Sequence, residues 1–171
     1  MKTIISVGCT FTAAAIVAFA AGAGKMKITS SSFQEGGIIP EKFSKNGQNI
    51  SPELRIDGAP ADAKSFALIV DDPDAPVGLF THWLVWNIDP KTSEISEGSP
   101  PGGAVQGKND FGEMGYGGPQ PPSGTHRYFF KVFALNTTLD LKPGAKRHEV
   151  DAAMKGHVIA QGQLMGRYSK K

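Results

Sequence analysis

Apolar and polar positions alternate in short runs along most of this chain, and a helical period shows only once. Residues 65–70 (SFALIV) form a continuous apolar run of the length expected for a strand buried on both faces. From residue 81 the pattern alternates, with His82, Leu84, Trp86 and Ile88 on one face and Thr81, Trp83, Val85 and Asn87 on the other. A third strand starts near residue 126, setting His126, Tyr128, Phe130, Val132 and Ala134 against Arg127, Phe129, Lys131, Phe133 and Leu135. Residues 26–33 alternate like an edge strand, and 38–43 and 54–56 are shorter strand candidates. The helical stripe lies at about 148–163, where Val150, Ala153, Met154, His157, Val158 and Gln161 share a face. Gly156 inside it costs about 1 kcal/mol relative to Ala, which implies close packing there. Lys146 stands where a Ser or Asp cap is expected.

Between these runs the chain is punctuated by 21 Gly and 12 Pro, so short strands and tight turns, not βαβ units, organise it. The expected fold is mainly β, an antiparallel β-sandwich with one C-terminal helix. A chain of 171 residues, 40% hydrophobic and 20% charged, suits one domain with a real core. Residues 1–23 differ: Lys2 precedes an uncharged apolar run that ends in small residues, the form of a secretory signal peptide. An uncleaved anchor is the alternative, although a run of about 17 residues is short for a spanning helix. The division is therefore a signal peptide at 1–23 and a domain at 24–171, with a periplasmic or secreted product. Removing the signal takes away Lys2 and the only cysteine, leaving no disulfide or thiol chemistry. The formal net charge of +2 is too small to suggest nucleic acid as a partner.

The chemistry gathers at two strand mouths. In DDPDAPVGLFTH, at residues 71–82, Pro73 and Pro76 stiffen a loop that carries Asp72 and Asp74 just before His82. A carboxylate beside an imidazole can fix its tautomer and raise its pKa, so that it donates to an anion. The plainer alternative is that both aspartates bond to nearby backbone N–H groups, as Asp does in turns. At the second mouth, His126 and Tyr128 share a face after a Gly/Pro-rich loop at 112–124, whose amides could form a nest for an oxyanion. Here too the alternative is structural: a satisfied strand histidine and a core tyrosine. If the mouths lie side by side they make one anion pocket, and phosphate affinity should weaken as a shared proton is lost.

The sequence D-P-D-A-P followed by H-W-L-V-W-N-I, then N-D-F-G, G-Y-G-G-P, P-P-S-G-T-H-R-Y and A-A-M-K-G-H-V-I-A-Q-G-Q-L, resembles the phosphatidylethanolamine-binding protein family. It is most similar to the bacterial branch called Raf kinase inhibitor-like proteins. The resemblance implies a large antiparallel sheet packed on a smaller one, and a cis bond at Ala75–Pro76. It also implies that Asp72, His82, Gly118, Pro119, His126 and Tyr128 line a small pocket for phosphate or a phosphorylated head group. Asp74 joins these as a ligand-binding candidate from the loop itself. Gln120 departs from bacterial relatives that often carry Cys there.

The leading reading is a binding protein with a small anion pocket, with an inhibitor or interaction scaffold as in relatives that bind kinases or proteases. A homodimer is what some bacterial relatives suggest. In an exported protein the Raf name describes ancestry and not a partner. The alternative is a hydrolase using the Asp/His cluster for acid–base chemistry. No G-x-S-x-G elbow is present, and no His spacing or mature-chain Cys suits a metal, so no catalytic residue, metal or cofactor is expected.

Overall fold

The apolar run at 65–70 becomes the middle of a six-stranded sheet. The computed structural model describes residues 24–170, so the expected signal peptide lies outside the described residues. The strands are β1 (Gly24–Lys25), β2 (Lys27–Thr29), β3 (Leu54–Asp57), β4 (Ser65–Asp72), β5 (Phe80–Ile88), β6 (Glu94–Ile95), β7 (Val105–Gln106), β8 (Thr125–Leu135) and β9 (Val158–Ser169), with one helix, α1 (Arg147–Met154). The large sheet has the order β1-β9-β8-β4-β5-β7 and a smaller one the order β2-β3-β6. Neighbours are antiparallel except β1 with β9.

β4 is buried along its whole length because both faces are covered, which is why its sequence is continuous and not alternating. On one face Phe66, Leu68 and Val70 pack with Trp83, Val85, Phe130 and Val132 against Ile28, Leu54, Ile56 and Ile95 of the small sheet. On the other, Ala67 and Ile69 pack with Leu84, Trp86 and Phe133 against Val150 and Met154 of α1.

Of the strand candidate at 26–33 only β2, residues 27–29, is strand, and it lies in the small sheet; β1 precedes it in the large sheet, and the chain crosses between the two at buried Met26. The candidate at 38–43 is a single bridge from Ile38 to Arg167 followed by a 3₁₀ turn, Glu41–Phe43. No described peptide bond is cis, so Ala75–Pro76 is trans.

The helix is half the expected length. Glu149 accepts the Lys146 N–H at 2.8 Å, so the side chain three residues on supplies the cap that Lys146 cannot. Gly156 then turns the chain at φ +81° with open space around its Cα, so left-handed backbone and not close packing explains it. The chain continues from this turn directly into β9. The inward face of β9 reads Ala160, Gly162, Leu164, Gly166, Tyr168, and a side chain at Gly162 or Gly166 would run into Met26 or Ile39. Small residues thus mask a period-two strand.

The edge strands β1 and β7 have two residues each, and the stretches of β9 and β5 that they leave unpaired are bonded by other backbone. Beyond β1, residues 36–39 bond along β9: the Gly36 and Ile39 N–H groups donate to the Met165 and Arg167 carbonyls, each at 2.8 Å. Beyond two-residue β7, Gly107, Asp110 and Gly117 donate to the Leu84, Thr81 and His82 carbonyls of β5.

Candidate functional site

β4 ends with two aspartates, and alternation sends their side chains to opposite faces of the sheet. Asp71 points toward the helix side, fully buried, where it accepts from Arg147, from Lys131 Nζ at 3.0 Å and from Thr81 Oγ1 at 3.2 Å. Asp72 points the other way. Its Oδ2 lies 2.7 Å from His126 Nδ1, and its Oδ1 accepts the Asp74 N–H at 2.8 Å.

His82 reaches the same face by a bulge. Val70 pairs with Trp83 and Asp71 with Thr81, which leaves His82 as the extra residue of β5. Two consecutive residues of a bulged strand oppose one residue of the partner, so the face assignment read from simple alternation fails here. His82 sits edge-on to Tyr128, ring centroids 5.2 Å apart, and to Phe111 at 5.3 Å. A second extra residue, Asn87 at φ +56°, turns Ile88 onto the face of Val85, and its amide is tied to the Leu139 backbone at both ends. Leu84 and Trp86 are the only members of the expected His82 face that remain together.

The two mouths do converge. Asp72, Ala75, Pro76, Val77, Phe80, His82, Phe111, Gln120, Pro122 and His126 line one cavity of about 250 Å³. Each imidazole is held from behind. His82 Nδ1 is 2.7 Å from the Gly117 carbonyl, which can only accept, and His126 Nδ1 faces the Asp72 carboxylate, so Nδ1 is the donor nitrogen of both rings. Nε2 is then the atom each ring leaves for a ligand. Asp72 therefore orients His126, and a loop carbonyl, not an aspartate, orients His82. Burial pushes the His82 pKa below its ordinary value, partly offset by the Gly117 carbonyl and the Asp72 charge.

Tyr128 lies behind these groups, buried, and its hydroxyl makes no hydrogen bond of good geometry. Burial and the Asp72 charge push its pKa up, so it is a neutral donor. Asp74, in contrast, turns outward. It accepts from the Arg127 guanidinium at 2.7 and 2.9 Å and from the Arg127 N–H at 2.9 Å, and these bonds hold its pKa down at about 2. Asp74 is a brace for the loop and lines no part of the cavity.

The glycine loop plays a different part from the nest expected of it. The Gly112, Gly115 and Gly117 amides donate to the Asn109, Gly107 and His82 carbonyls, and the Gly118 amide donates to Asn49 Oδ1 at 2.7 Å. Gly118 packs so closely on residues 43–45 that a Cβ would come within 2.2 Å of the Phe43 carbonyl. Pro119 accepts the Lys45 N–H at 3.0 Å. Gly118 and Pro119 thus anchor the loop that presents the Gly117 carbonyl to His82. Phe80, Phe111 and the trio 75–77 are apolar wall residues that polar motifs in the sequence do not reveal; their signal is an aromatic or small residue beside each polar one.

Comparison with known proteins gives the family and the fold. Residues 29–169 match a sequence model of the family described as phosphatidylethanolamine-binding protein. A UPF0098 protein of Methanothermobacter thermautotrophicus is 49% identical over 150 residues, 85% of this chain and 99% of that protein. One from Pyrococcus horikoshii is 51% identical over 162 residues, 88% and 81% of the two chains. The crystal structure of a phosphatidylethanolamine-binding protein homolog from Chlamydia trachomatis superposes with a TM-score of 0.82 at 43% identity, over 87% of this chain and 100% of that one. Escherichia coli YbcL, described as a member of the mammalian family, gives 0.81 at 33% identity over 85% and 99%.

Proposed function

We propose that in this chain, which belongs to the phosphatidylethanolamine-binding protein family, the cavity at the ends of β4, β5 and β8 binds phosphate or a phosphorylated head group. The observation that carries this reading is the pair of imidazoles held through Nδ1, with Nε2 of each left to one small cavity. No lysine or arginine lines that cavity, and Asp72 is the one carboxyl group that does. A phosphoryl group is therefore held only with a proton between its oxygen and Nε2, and the Tyr128 hydroxyl is a further donor nearby. The apolar run at 1–23 supports a periplasmic or secreted setting.

The same proton sets the sign of the pH dependence. In the empty cavity His82 has a depressed pKa; an oxyanion at Nε2 raises it, so binding takes up a proton. Affinity is greatest at low pH and is lost as pH rises through the pKa of the complex. Calorimetric titration with phosphate and phosphoethanolamine at about pH 6 and about pH 8 tests this. The expected result is weaker binding at the higher pH, abolished by His82→Ala and weakened by Tyr128→Phe. Absence of binding at both pH values would refute the anion pocket.

A further inference from the structure

Beside the imidazole cavity lies a second one, of about 370 Å³, lined by Asn46, Gln120, Pro121, Pro122, Tyr168 and Lys170. Gln120 and Pro122 line both, so the two chambers are separated by a single ridge of loop. Their chemistry differs. The first is apolar apart from its two imidazoles, a carboxylate and the Gln120 amide, while the second adds a lysine and the Asn46 amide. Lys170 belongs to no ion pair among the described residues. The Lys170 backbone N–H donates to the Gly124 carbonyl at 3.0 Å, which fixes the end of β9 against the loop. Gln120 donates to Asn46 Oδ1 at 3.1 Å, so the ridge is tied to the far wall of the second chamber.

Resting on the phosphoryl reading of the first cavity, we propose that the second is an oxyanion subsite. The preferred ligand then carries, besides its phosphoryl group, a carboxylate or second phosphate that crosses the Gln120–Pro122 ridge and is bound by Lys170 and Asn46. The ridge decides which ligands gain: a lone phosphate occupies one chamber, and only a ligand long enough to bridge both meets the lysine. Gln120 is a positioning residue, since its bond to Asn46 sets the width of the crossing.

Phosphoserine and phosphoethanolamine differ by one carboxylate and share the phosphate and the ammonium, so their comparison isolates the subsite. Calorimetry on the wild type should give roughly three- to tenfold tighter binding of phosphoserine, the size of a charge-assisted hydrogen bond in a partly open site. Lys170→Gln should remove that advantage and leave inorganic phosphate affinity unchanged; Asn46→Ala should reduce the advantage. Thermal melting checks that both variants fold, which exposure of both side chains favours. Equal affinity for the two ligands, or an advantage that survives Lys170→Gln, overturns the subsite while phosphate binding stands. So does an equal loss of phosphate affinity in Lys170→Gln, because the lysine would then act on the first cavity alone. If the wild type binds no phosphate at all, the anion pocket fails and the subsite with it.

Discussion

Asp71 and Asp72 are neighbours on one strand, buried to a similar degree, yet they face opposite chemistry. Asp71 meets two permanent cations and a hydroxyl that leave it no capacity for a ligand. Asp72 meets one imidazole and one backbone N–H beside an open cavity. A buried carboxylate is tolerated when its charge is matched. Asp71 is matched by residues that cannot change protonation near neutral pH, which makes it a structural tie between the sheet and the start of α1. Asp72 is matched by an imidazole at the wall of the cavity. Burial alone does not separate the two aspartates; the chemistry of their partners does.

Removing Asp71 should give the largest effect. Asp71→Ala leaves Lys131 without its carboxylate and Arg147 with Asp151 alone, and should cost about 2–3 kcal/mol in urea unfolding. A cost under about 1 kcal/mol would show that water and Asp151 replace the carboxylate, and the contrast would collapse. Acid titration probes the other face. The His82 pKa lies below its ordinary 6.5 in the fold, so the unfolded chain binds the extra proton. Stability is then present above 6.5 and falls as pH drops below it, by up to about 1.4 kcal/mol per pH unit, until the depressed pKa is reached. His82→Gln should flatten that window in denaturant melts.

Asp72→Asn should cost about 1 kcal/mol of stability, since the hydrogen bonds can persist without the charge. Its larger effect is on binding. Loss of a negative charge that favours imidazole protonation should move the fall in phosphate affinity to lower pH. An unmoved midpoint would mean that Asp72 does not act on the histidines. Asp74→Ala gives the smallest effect, about 0.5–1 kcal/mol, because its partner Arg127 is exposed and screened. That contribution is present above pH 3.8 and lost as pH falls toward about 2, so wild type and variant should converge in strong acid.

The strands that build the cavity were legible because their periods are uninterrupted: β8 has the faces that alternation predicts, and β4 is as buried as its apolar run suggests. The convergence of the two mouths was legible from the polar residues at the start of each aromatic strand. The partner assignments were not. His82 changes face because it is itself the extra residue of a bulge between Thr81 and Trp83, and no propensity in the sequence marks an extra residue there. The amides of the glycine loop are taken up by Asn109, Gly107 and His82, and that of Gly118 by Asn49, a contact between segments about seventy positions apart. The end of α1 is hidden in the sequence for a local reason: Ala160, Gly162 and Gly166 are small where Met26, Ile28 and Ile39 come close, so the alternation that defines β9 carries little hydrophobic contrast.

The covered edges of the large sheet bear on how molecules of this protein could meet. An unpaired strand offers a row of backbone donors and acceptors on which another chain can polymerise. Here that template is blunted on both sides, by the 36–39 segment along β9 and by the loop bonds along β5. Growth of the large sheet from one copy into the next along β5 or along residues 165–167 of β9 is accordingly blocked by the chain's own backbone.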